Sequence, residues 1–88
     1  MSKLQLGQVV ITRNAMETLD LSSVTLSLRK HSAGKWGDVC VDDWKANDEA
    51  LVNGDRILSS YKDINGTKFW IITEADRSST TVLLPEDY

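Results

Sequence analysis

The run RILSSYKDINGTKFWIIT, residues 56 to 73, constrains the fold more than any other stretch of the chain. Asn65-Gly66 is a pair favoured in two-residue hairpin turns, where both central positions take positive φ. On either side lie residues that suit a half-buried strand: Ile57 and Tyr61 before the pair, and Phe69, Trp70, Ile71 and Ile72 after it. A two-residue loop sets the pairing by counting, with Ile64 opposite Thr67, Asp63 opposite Lys68, Tyr61 opposite Trp70 and Ser59 opposite Ile72. That register places an ion pair and an aromatic pair across the strands, each stabilising by about 0.2 to 1 kcal/mol. EADRS then leads into STTVLL, which Pro85 ends. The last third reads as an antiparallel meander.

The first two thirds carry helical signals. QVVITR at 8 to 13 is a short β-branched strand, and Asn14 is a candidate cap for a brief helix through AMETL. In LDLSSVTLSLRKHSAG, Ser22 and Ser23 suit a helix start. Arg29, Lys30 and His31 suit the negative end of its dipole, and Gly34 suits the position just past the end, so a helix is expected over 23 to 33. GKWGD follows as a loop, with Asp38 available as a cap. From Val41 to Asn53 the pattern is again helical, with Asp42 and Asp43 in the first turn and Asn53-Gly54 as the stop. With 88 residues and 41 % hydrophobic content the chain has material for one core. The expected fold is a single α+β domain spanning 1 to 88, short helices packed on one face of a small antiparallel sheet.

The segment GKWGDVCVDDWKANDEAL, 34 to 51, concentrates the chemistry. Its helix should present Val41, Trp44 and Leu51 to the core, which leaves Asn47 and Asp48 polar where core is expected. A polar pair there costs stability unless hydrogen-bonded. Two uses are open: a clamp on the GKWGD backbone or the Trp36 indole, or the floor of a polar pocket. Cys40, between two valines, reads as a small buried hydrophobe, and its spacing to His31 gives no support for a catalytic pair. The order of Asp38, Asp42, Asp43, Asp48 and Glu49 does not match a calcium loop. Glu74, Asp76 and Arg77, followed by hydroxyl residues, could hold a phosphate or carboxylate, or could simply bond their own loop.

Charge and cysteine content exclude several classes. Residues 1 to 37 hold five Lys/Arg against two acids, whereas 38 to 55 hold six acids against one lysine, within a net charge of −3. The acidic middle should be repelled by nucleic acid and attracted to a basic surface, so the expected partner is a protein. With a single cysteine and a single histidine, neither an intramolecular disulfide nor a zinc set is expected, and no metal or cofactor. No run approaches the roughly 18 apolar residues of a membrane span. A cytoplasmic protein is expected, with self-association through an edge strand or aromatics open.

HSAGKWGDVCVDDWKANDEALVNGDRILSSY, followed by GTKFWIITEADRSSTTVLLPEDY, resembles a family of small uncharacterised bacterial proteins carried on plasmids, phages and other mobile elements. The resemblance covers roughly 31 to 88 and rests on His31, Gly34, Trp36-Gly37-Asp38, Asn47-Asp48, Ala50-Leu51 and the WIITEADRS to LLPEDY tail. It implies genomic company rather than an activity, and such accessory genes include inhibitors of host defence. The leading expectation is a non-enzymatic interaction protein whose contact surface draws on Trp36, Asp38, Asp42, Asp43, Asn47, Asp48, Glu49, Glu74, Asp76 and Arg77. The alternative is a small-ligand binder or minor enzyme, with Asn47 and Asp48 facing the 74 to 78 loop across one cleft.

Overall fold

A computed structural model describes residues 3–88. In chain order the elements are β1 (Gln8–Ile11), α1 (Arg13–Thr18), α2 (Leu21–Ser32), α3 (Val41–Asn53), β2 (Ile57–Lys62), β3 (Lys68–Thr73) and β4 (Ser79–Leu83), followed by a 3-10 turn at Pro85–Asp87. The strands form one sheet in the order β1-β4-β3-β2. β2, β3 and β4 make the expected meander, while β1 joins parallel to β4, so the α+β sheet is mixed rather than wholly antiparallel. Parallel entry follows from the long crossover, which carries all three helices between β1 and the meander.

The helices cover one face. Alternation along the strands sends Tyr61, Phe69, Ile71 and Val82 to the same side, where they pack with Ala15 of α1, Leu19 just past its end and Val24 of α2. A second apolar cluster at the β2 end joins Leu4, Trp36, Ala50 and Ile57, with Trp44 and Leu51 packed against it. The opposite face carries Trp70, Ile72 and Leu83, and the Tyr88 ring meets Trp70 edge-on at 5.8 Å. Asp87 ties this C-terminal turn back to α1 by accepting from Thr12 Oγ1 at 2.7 Å and Asn14 Nδ2 at 2.8 Å.

The hairpin register differs from the counted one by a residue. Tyr61 pairs with Phe69, Ser60 with Trp70 and Lys62 with Lys68. Asp63 is the cause. Its carbonyl accepts the Gly66 N–H and its N–H donates to the Thr67 carbonyl, closing a three-residue loop with Gly66 at φ 82. One carboxylate oxygen accepts the N–H groups of Asn65 and Thr67, and the other accepts that of Asp20. These backbone donors, Asp20 first and then Thr67, hold the Asp63 carboxyl below the usual carboxylate range. The ion pair with Lys68 is therefore absent, and the aromatic partner of Tyr61 is Phe69, 5.9 Å away. A slip of one residue exchanges faces, so Phe69 rather than Trp70 enters the core.

Helix ends show the same local competition. α2 begins at Leu21, capped by Asp20, whose carboxylate accepts from Ser23 N and Ser23 Oγ. Thr12, not Asn14, caps α1. α3 runs over the expected residues and stops at Gly54 in the left-handed conformation, φ 77. Its first residue follows Cys40 with no side-chain cap; Asp38, the expected cap, lies two residues before that position and its N–H donates to the Ser60 carbonyl at 2.7 Å. Among the described residues no helix is long and apolar enough to cross a membrane.

Candidate functional site

Residues 34 to 51 wrap the outer edge of β2. Gly37 forms a parallel bridge with Ser60: Ser60 N–H donates to the Trp36 carbonyl at 3.1 Å, and Asp38 N–H donates to the Ser60 carbonyl. Only glycine fits at 37, where φ is 77 and a β-carbon would overlap the Ser60 carbonyl and crowd the Tyr61 ring. Two residues earlier on the same edge, Asn47 Nδ2 donates to the Leu58 carbonyl at 2.8 Å, while its Oδ1 faces the Leu58 N–H at 3.5 Å. The Asn47 amide thus stands in for a missing neighbouring strand. Asp48 Oδ1 accepts the Trp36 indole N–H at 2.9 Å. Both polar side chains are clamps, one on strand β2 and one on the loop.

This geometry sets the phase of α3 and corrects several sequence expectations. With Asn47 turned to the strand, Asn47 and Ala50 become the buried positions, Trp44 and Leu51 flank them, and Val41 stands 82 % exposed. Cys40 is exposed rather than buried. Trp36, expected as a contact residue, is wholly inside and meets the His31 ring edge-on at 5.5 Å. The Tyr61 hydroxyl donates to the Lys35 carbonyl, and burial pushes its pKa up to about 12.

Behind Trp36 runs a buried polar chain that sequence reasoning missed. Thr80 Oγ1 donates to the Leu6 carbonyl at 2.7 Å, and Thr73 Oγ1 lies 2.8 Å from Thr80 Oγ1. His31 Nε2 lies 2.8 Å from Thr73 Oγ1, and His31 Nδ1 contacts Ser59 Oγ. Proton counting orders the chain: Thr80 spends its hydrogen on Leu6 and Thr73 on Thr80, so His31 Nε2 must donate to Thr73, and in the neutral ring Nδ1 then accepts from Ser59. The imidazole is neutral with its hydrogen on Nε2. Burial, reinforced by the charge of Arg77, lowers its pKa to about 4. Although serine touches histidine, both are at 0 % exposure, and no substrate can reach them.

The 74 to 78 loop is held by its own bonds. Glu74 pairs with Arg56 at 3.6 Å, and Asp76 Oδ1 accepts the Ser78 N–H at 3.0 Å. Arg77, at φ 62, reaches across to the end of α3 and donates to the carbonyls of Asp55 at 2.7 Å and Ala50 at 3.0 Å. The Ala50 carbonyl already accepts the Gly54 and Asp55 N–H groups, so the guanidinium adds a further donor there and supplies one to the Asp55 carbonyl. Among the described residues no hydrogen bond or ion pair joins the Asn47 or Asp48 side chains to Glu74, Asp76 or Arg77.

The outward face of α3 is open to solvent. Val41, Asp42, Asp43, Lys45, Glu49 and Val52 are exposed, Val52 at 87 %. A cleft of about 430 Å³ is lined by Val39, Val41, Trp44, Lys45 and Asp48, and one of about 350 Å³ by Lys45, Asp48, Glu49, Val52 and Asn53. The two share Lys45 and Asp48 and lie in a row. Val41, Lys45, Asp48 and Val52 follow helical spacing along one stripe, visible in the sequence only once the phase of α3 is known. Among the described residues no group of three or more His, Cys, Asp or Glu could hold a metal ion. The arrangement suits binding by shape and charge. Set against family models, curated proteins and solved structures, the chain matches none at a significant level.

Proposed function

We propose that the chain is a non-enzymatic interaction module that docks a basic protein segment on the outward face of α3. The observation that carries the reading is the pair of exposed valines, Val41 and Val52, bracketing a stripe with Lys45 and Asp48, beside which Asp42 and Glu49 are exposed. Eleven helical steps separate them, about 16 Å at the α-helical rise. That length matches an amphipathic helix laid in a shallow groove, with its apolar anchors over the two clefts and its cations toward the carboxylates. The resemblance to mobile-element proteins supports a bacterial, cytoplasmic accessory role, with inhibition of a host defence protein through its basic nucleic-acid channel as the specific form.

The test is affinity capture from the native host with the wild-type chain and with a Glu49→Lys/Val52→Ser variant, both sites being solvent-facing. The expected result is a basic partner retained by the wild type, released by salt, and lost by the variant at unchanged melting temperature. Capture that the variant leaves intact would overturn the reading.

A further inference from the structure

The sheet has two edges, and only one is closed. Along β2, Asn47 covers the Leu58 peptide and the Trp36–Asp38 backbone covers that of Ser60. At the opposite edge lies β1. The Gln8 N–H donates to the Ser78 carbonyl and the Thr12 N–H to the Val82 carbonyl, so alternation turns the N–H and C=O of Val9 and Ile11 outward. Gln8–Ile11 contains no lysine, proline or glycine to guard this edge, and Val9 and Val10 are 46 % and 39 % exposed.

We propose that β1 pairs antiparallel with β1 of a second copy, about a two-fold axis through Val10, joining two sheets into one. Centring on Val10 sets Val9 opposite Ile11 of the other copy, a hydrogen-bonded pair in which both residues exchange N–H and C=O. By symmetry the pair occurs twice and uses all the outward groups of both strands. Centring on Val9 instead would bring Ile11 opposite Gly7, which at φ 63 has left the strand. Centring on Ile11 would bring Val9 opposite Arg13, which is in α1. At the axis the two Val10 side chains meet as a non-hydrogen-bonded pair, the closer of the two geometries.

The charge distribution favours a second copy as occupant. Gln8–Ile11 is uncharged, and the acidic α3 packs at the far edge beside β2, so two molecules of net charge −3 can meet here without opposing carboxylates. The α3 face stays open in the pair, so this surface is independent of the one proposed for the partner. A strand of this length buries less than a standard interface, and the expected dissociation constant lies between about 10 µM and about 1 mM.

Sedimentation equilibrium up to about 1 mM, combined with amide hydrogen exchange, tests the proposal. Expected is a monomer–dimer equilibrium in which the Val9 and Ile11 amides gain protection as concentration rises, while the Val10 and Thr12 amides are protected throughout. A monomer across the whole range overturns it, as does a dimer whose Val9 and Ile11 amides exchange freely. Substitution reads the axis directly. Val10→Lys and Val10→Glu should each weaken self-association at least about tenfold, since like charges sit directly opposite, and an equimolar mixture should restore it. Either variant pairing as well as the wild type, or a mixture that fails to recover, refutes the Val10 register.

Discussion

Acidification should destabilise this protein in a window set by His31. The neutral imidazole accepts from Ser59 and donates to Thr73 inside the core, and protonation would bury a positive charge there with only hydroxyl groups for partners. Its pKa falls from 6.5 to about 4, by burial first and the charge of Arg77 second. Between those values the unfolded chain binds a proton that the folded chain does not, so stability rises with pH there. It is complete above pH 6.5 and is lost as the pH falls toward 4. Taking pH 7.5 to pH 5, linkage gives a loss of about 2 kcal/mol. The depressed carboxyls of Asp63, Asp76 and Asp87 add nothing in this interval, because their contribution disappears only below the ordinary aspartate range. Urea titration followed by tryptophan fluorescence would report the loss as a midpoint shift of about 1 to 2 M. His31→Gln can keep one donor and one acceptor without titrating, so its midpoint should be flat over the same interval, whatever its absolute stability. A wild-type midpoint that does not move, or a His31→Gln midpoint that moves equally, would refute the assignment of a neutral buried histidine.

Two further substitutions probe the β2 edge. Asn47→Ala leaves the Leu58 carbonyl and N–H unpaired beneath α3, and should cost about 1 to 3 kcal/mol by denaturant titration while raising exchange of the Leu58 amide. Gly37→Ala and Gly54→Ala share φ 77, yet at 37 a β-carbon meets the Ser60 carbonyl and at 54 it meets nothing within 4 Å. Gly54→Ala should therefore lose only the left-handed penalty of about 1 to 2 kcal/mol, and Gly37→Ala clearly more; equal losses would contradict the close approach at the edge.

Legibility in the sequence followed the range of the deciding interaction. α3 could be bounded because its signals are local: acids in the first turn and Gly54 past the last. The meander could be read because β formers and turn residues alternate along the chain, and a tie between Asp48 and the Trp36 indole was one of two open uses of that carboxylate. The hairpin register could not, since Asn-Gly suits either loop length and the choice was made by the Asp63 carboxylate together with Asp20, more than forty residues away. The face of α3 was read correctly at Trp44 and Leu51, which pack against the second core cluster, and misread at Val41 for a related reason. Val41, Trp44 and Leu51 look like the core stripe by hydrophobicity, but the strand edge demanded an amide, and meeting it turned Asn47 inward. His31 looked like a dipole-complementing residue at a helix end, and only the arrival of Ser59 and Thr73 from two strands made it a neutral core group.

The parallel pairing of β1 with β4 also dictates when this molecule can fold. Thr80 reaches back to Leu6 over 74 residues, and Asp87 to Thr12 over 75. During synthesis the first strand and the cap region of α1 must wait, unpaired, until residues 79 to 87 have left the ribosome. Until then its valines and isoleucine are an unsatisfied strand in a nascent chain, and closing so large a loop is the slow kind of step that high contact order imposes. Expression and ribosome-stalling experiments should therefore show the native state appearing abruptly, with the last strand, rather than in stages.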